Sequence, residues 1–223
     1  MAKFNIFEIF KHKQKPVEEM SFNKLLKEYK KLNDEYKKLS SSADEKSKEQ
    51  LDIIEGRIDA INQQIKTIVA QAKEPQVLSY IKKTEEDFAK YVAEYSLCLE
   101  IKQEYEKCYD RMRELDAINY TYSQDTTRPM ALTFSEKEEY ERCVEFCKNN
   151  ENANINVIIA ENNLSNIMET ICNFGINTEK IKELRIKLRK IEQNNLEIEG
   201  FKFGATFKTK ESGEDGGRGG MGE

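Results

Sequence analysis

Apolar residues recur along most of this chain at alternating spacings of three and four, the period of an amphipathic helix. Phe22, Leu25, Tyr29, Leu32, Tyr36 and Leu39 keep that spacing, and Leu51, Ile54, Ile58, Ile61, Ile65, Ile68 and Ala72 resume it. A third run, Tyr91, Tyr95, Cys98, Ile101, Tyr105, Cys108, Met112, Leu115 and Ile118, lies in a stretch, 76–122, that contains no Gly or Pro. It predicts one helix of roughly 70 Å at 1.5 Å per residue. Glu, Lys and Arg fill most other positions, so the apolar seam is one stripe wide and needs a partner helix along its length. Tyr91, Tyr95, Tyr105 and Tyr109 are assigned to that seam rather than to a platform for stacking bases.

The first two runs are out of phase. Leu39 and Leu51 are 51 − 39 = 12 positions apart, where unbroken heptad alternation needs 11 or 14. Either the helix breaks at Ser40-Ser41-Ser42, with a serine capping the next helix ahead of Asp44 and Glu45, or it continues through a phase shift; the break is favoured. Pro75 suits a first helical turn and marks the reversal into the long helix. Thr121 to Thr133, with Arg128-Pro129, reads as a linker. Ser135 and Glu138 match a capping box that opens a helix with Tyr140, Cys143, Val144 and Cys147 inward. An Asn-rich loop at 149–154 precedes a helix with Val157, Leu164, Ile167, Met168 and Ile171 on one side; Gly175 is its left-handed stop. Thr178 caps a last helix carrying Ile181, Leu184, Leu188 and Ile191. Beyond it, 196–207 alternates with period two, as an edge strand or small hairpin does, and the rest is Gly-rich and expected to be disordered.

The fold class expected is therefore all-α: an elongated antiparallel coiled-coil helical hairpin, shorter C-terminal helices and a disordered Gly-rich tail. The divisions are an amphipathic N-terminal segment at 1–15, the hairpin at 17–124, a C-terminal helical region at 134–195, and an extended strip and tail at 196–223. In outline this resembles the membrane-remodelling filament proteins of the ESCRT-III and phage-shock superfamily. The likeness is one of architecture; no residue motif carries it, and the tail lacks the acidic terminal helices common in ESCRT-III proteins.

Composition sharpens this. Charged residues make up 35%, hydrophobic ones 38%, and mean hydropathy is −0.77, which suits helices burying one narrow face. Of 10 Gly, only Gly56 and Gly175 precede Gly200, and Pro occurs only at Pro16, Pro75 and Pro129, too little turn punctuation for a β protein. No apolar run has the length of a signal peptide core or a membrane span, so the expected location is cytoplasmic, possible contact with a membrane being peripheral. The five Cys are expected as free thiols.

Candidate chemistry is sparse. His12 is the single His, which excludes a His-dependent triad or zinc site in the body of one chain. No phosphate-cradling Gly loop occurs. The expectation is a non-enzymatic protein without metal or cofactor. Two surfaces stand out. Phe4, Ile6, Phe7, Ile9 and Phe10 form a broad apolar arc beside Lys3, Lys11, Lys13 and Lys15, fitting a membrane interface, docking on the protein's own helices or on a second subunit, or a frayed terminus. Lys180, Lys182, Arg185, Lys187, Arg189 and Lys190 make 179–190 locally basic in a chain of net charge −5. Anionic lipid, nucleic acid or acidic helices of the same chain are its possible partners, nucleic acid the least favoured. The leading function is a self-assembling scaffold, a homo-oligomer, held peripherally to a membrane by its N-terminal helix. The alternative is a soluble coiled-coil adaptor that binds protein partners, with 196–207 completing a partner's sheet edge.

Overall fold

The computed structural model describes residues 16–40, 45–124 and 132–211, with side chains over 16–40, 47–120 and 132–196. Among the described residues, a 3-10 turn at Val17–Glu19 is followed by six helices: α1 Phe22–Ser40, α2 Glu45–Gln71, α3 Pro75–Gln124, α4 Phe134–Asn149, α5 Ala153–Asn173 and α6 Glu179–Glu211. Among the described residues there is no strand. Phe4, Ile6, Phe7, Ile9 and Phe10, the serine cap at 41–44, Arg128-Pro129 and the Gly-rich end from 212 lie outside the described residues.

The uninterrupted 50-residue α3 is the helix that the heptad run predicted, with Pro75 as its first residue. The Glu74 carbonyl accepts its first bonds, from the amides of Val77 and Leu78. Its most buried side chains differ from the expected ones. Phe88, Val92 and Leu99 are buried, while Tyr91, Tyr95, Cys98, Ile101, Tyr105 and Cys108 are half-buried. The seam is displaced by one position because Val92 and Leu99, one residue beyond Tyr91 and Cys98, share the same side of the helix and are smaller or purely apolar. Leu115 remains fully buried. Tyr109 is exposed and stacks on Tyr105 at 6.3 Å, so it is no core residue.

Two compact units emerge. One is built from the chain up to Phe88 together with Ser165–Ile181, the other from Ala89–Leu164 together with the chain from Lys182 on. The boundaries cross α3, α5 and α6, cutting through the 17–124 and 134–195 divisions read from pattern. A long helix has enough length to bury different stretches in different cores.

In the first unit α1 packs against α2, and Arg57 Nε bonds Glu28 Oε1 across the pair at 2.9 Å. A chain that pairs residues 28 and 57 must reverse between them, and α1 ends at Ser40 where the phase slip predicted a break. The core is aromatic at its centre. Tyr29 and Phe174 meet edge to face at 5.0 Å, Phe22 and Tyr80 at 5.4 Å, and Tyr80 and Phe174 at 6.1 Å. Leu25, Ile61, Ile65 and Val77 of the same unit are fully buried as well. Each such residue contributes about 1.5–3 kcal/mol by leaving water. Phe174 reaches this cluster because α5 stops sharply. Gly175 has φ +66, its amide bonds the Cys172 carbonyl, and the Ile176 amide bonds the Ile171 carbonyl. That is the two-bond left-handed termination expected of Gly at this place.

In the second unit α3 holds α4 through a two-pronged ion pair: Arg111 Nε and Nη2 each lie 3.0 Å from a Glu139 carboxylate oxygen. The hydrogen bonds from Arg111 hold the Glu139 carboxyl below its ordinary range. Gln103 donates to Asn195 Oδ1 at 3.2 Å, tying α3 to α6. Helix α4 opens on Thr133 and Glu136, not on the expected Ser135 and Glu138. The Thr133 amide donates to Glu136 Oε2 at 2.7 Å, and the Glu136 amide donates to Thr133 Oγ1 at 3.3 Å. Cys143 and Cys147 face inward as expected, but Val144 is exposed.

The period-two strip is corrected outright: 196–207 lies within α6. Extending a helix already nucleated upstream costs far less than starting a lone strand, which has no neighbour to pair with.

Candidate anionic-surface interface

Helix α6 starts where Thr178 Oγ1 accepts the Ile181 amide at 3.3 Å, the cap read from the sequence. The Thr178 hydroxyl also donates to the Glu85 carboxylate, which anchors the start of the helix in the first unit. Ile181 and Leu188 are buried and Leu184 is half-buried, so the apolar stripe of α6 packs at home. The remaining positions are set by the 3.6-residue repeat.

Lys180, Lys182, Lys187, Arg189 and Lys190 are exposed, and Arg185 is half-buried. Among the described residues, no ion pair involves Lys180, Lys187, Arg189 or Lys190. Sequence pattern missed one member of the surface. Ile186 is 55% exposed, and by helical spacing its neighbours are Lys182, Glu183, Arg189 and Lys190. An exposed apolar side chain with three cations and one acid as its helical neighbours fits a surface that has both anionic groups and an apolar layer beneath them. The signal was available: Ile186 is the one β-branched residue of 182–190, off the register of Ile181, Leu184 and Leu188.

The thiols form the other cluster. Cys108 of α3 meets Cys143 of α4, a neighbour that spacing did not reveal, while Cys172 is exposed. Burial, with a smaller contribution from the hydrogen bond to Cys143, pushes the Cys108 thiol up to about 11. The Cys147 thiol, also raised by burial, lies 3.8 Å from the Tyr105 carbonyl oxygen. A thiol held neutral is a poor nucleophile and metal ligand. Among the described residues no group of three or more His, Cys, Asp or Glu is arranged to hold a metal ion. No helix among them is long and apolar enough to cross a membrane. The Phe-rich N-terminal surface lies outside the described residues, so the basic row on α6 is the surface that can be built from geometry. Compared with protein families, characterised proteins and solved structures, the chain matches none.

Proposed function

We propose that this protein is a non-enzymatic helical scaffold that self-assembles and associates peripherally with an anionic membrane surface. Antiparallel helix pairs of coiled-coil type, α1 with α2 among them, supply its rigid body. Residues 3–13 supply an apolar contact, and the row on α6 supplies the charge. The observation that carries this reading is the exposed set Lys182, Arg189 and Lys190 beside exposed Ile186, with Lys187 exposed on the same turn, on a helix whose own apolar stripe is largely buried. Each basic residue near an anionic leaflet is worth about 1 kcal/mol, so the row by itself gives reversible attachment. A single apolar segment is likewise marginal, and the two contacts together make binding stable.

Co-sedimentation with vesicles containing phosphatidylserine tests the reading. The full chain is expected in the pellet at low salt and released as salt rises. Lys187→Glu with Arg189→Glu, and separately deletion of residues 1–15, should each weaken binding by at least about tenfold. A full chain that stays in the supernatant at low salt overturns membrane association and leaves the soluble adaptor. In that adaptor the contact with partners falls to helical faces, since a helical 196–207 offers no strand for a sheet edge.

A further inference from the structure

We infer that the outward face of α5 formed by Ile155, Ile158, Ile159 and Asn162 is the surface through which this protein pairs with a second copy of itself. Helix α5 has an inward stripe, Ala153, Ala160, Leu164 and Ile171, all buried at heptad intervals. Ile155, Ile158 and Ile159 fall on the other side and are 55%, 57% and 52% exposed. Asn162 is exposed on the same side, one heptad beyond Ile155. The spacing 155, 158, 162 is that of a second coiled-coil seam, with Ile at two positions and Asn at the third.

Charge identifies the occupant. In a chain with 35% charged residues, α5 carries only Glu161 and Glu169, and no Lys or Arg. Two copies of a molecule of net charge −5 repel over most of their surface. They meet with least of that cost on the stretch 155–162, whose outward positions Ile155, Ile158, Ile159 and Asn162 carry no charge; Glu161 lies at its edge and Glu169 one heptad beyond it. Isoleucine matches isoleucine, and an amide, which both donates and accepts, is satisfied by the same amide in a copy. An acidic partner would find no cation on α5, and a basic one no carboxylate among the four outward residues themselves. An isologous contact of this kind closes as a dimer. One helix face is smaller than the roughly 1,200–2,000 Å² that stable complexes bury, so pairing depends on concentration.

This inference rests on the self-assembly in the proposed function and assigns its surface. The test is light scattering on the full chain across a range of concentrations, with Ile158→Asp and Ile159→Asp together and with Ile186→Asp as control. All three residues are exposed, so circular dichroism should show unchanged helix content. The wild type and Ile186→Asp are expected to shift from monomer to dimer mass as concentration rises, and the α5 double variant to remain monomeric at about tenfold higher concentration. A wild type that associates and a folded double variant that associates equally well overturns the α5 surface and leaves self-assembly standing. Loss of association in the Ile186→Asp control as well overturns the assignment to α5 alone. A wild type that is monomeric throughout overturns both.

Discussion

Ala72 and Gly175 occupy the same left-handed backbone region with opposite consequences. Gly175, at φ +66, is relaxed there, and a Cβ at that site would meet Lys66 Cγ at 3.3 Å. Ala72, at φ 39, bears the clash between Cβ and the following carbonyl, a cost of roughly 1–2 kcal/mol. Gly175→Ala is therefore expected to destabilise the first unit by about 1 kcal/mol, and Ala72→Gly to stabilise it by about 0.5 kcal/mol after the added freedom of the unfolded chain is counted. Urea midpoints at unchanged slope would read both, and a loss of stability in Ala72→Gly would contradict a left-handed Ala72. Only Gly175 was legible beforehand. A glycine after an apolar helical run is a stop signal, whereas an alanine carries no mark of the turn that tertiary packing forces on it.

Helix starts show how far local pattern reaches. Thr133-Phe134-Ser135-Glu136 and Ser135-Glu136-Lys137-Glu138 both satisfy the capping-box spacing, and the sequence offers no local reason to prefer the first. With either start Cys143 and Cys147 lie on one side of the helix; the structure buries both and leaves Val144 exposed. Thr133→Ala should cost about 1 kcal/mol, as N-cap losses do, and Ser135→Ala almost nothing. The backbone and side-chain hydrogen bonds from Thr133 hold the Glu136 carboxyl below its ordinary 4.5. A depressed carboxylate stabilises the fold above its unfolded pKa and loses that effect as pH falls through the folded value. Amide protection in the first turn of α4, taken relative to the intrinsic exchange rate at each pH, is accordingly expected to fall below about pH 4.5 in the wild type, and to be low with little such fall in Thr133→Ala. Equal effects of the two alanine variants would deny the Thr133 cap.

At the scale of the molecule, two cores share three helices. Phe174 is buried among Phe22, Tyr29 and Tyr80 in the first unit, and Leu115 is buried in the second. Phe174→Ala should cost about 3–5 kcal/mol and Leu115→Ala about 2–5 kcal/mol. Hydrogen exchange separates them: Phe174→Ala should lower protection mainly in α1 and α2, and Leu115→Ala mainly in α4. Identical protection patterns would mean that the two cores open as one.

What this chain determines by itself is its helical content, the length of α3, the stop at Gly175 and the cap at Thr178. Those depend on spacing, on the scarcity of Gly and Pro, and on contacts within a few residues, all of which are local. Tertiary structure alone decided that α1 turns back on α2, that Val92 and Leu99 displace the tyrosine seam, and that Cys108 meets Cys143. It also left Ile155, Ile158, Ile159 and Ile186 in solvent. A heptad says that a helix has an apolar side, and only the competition among all such sides for a limited interior says which of them is covered.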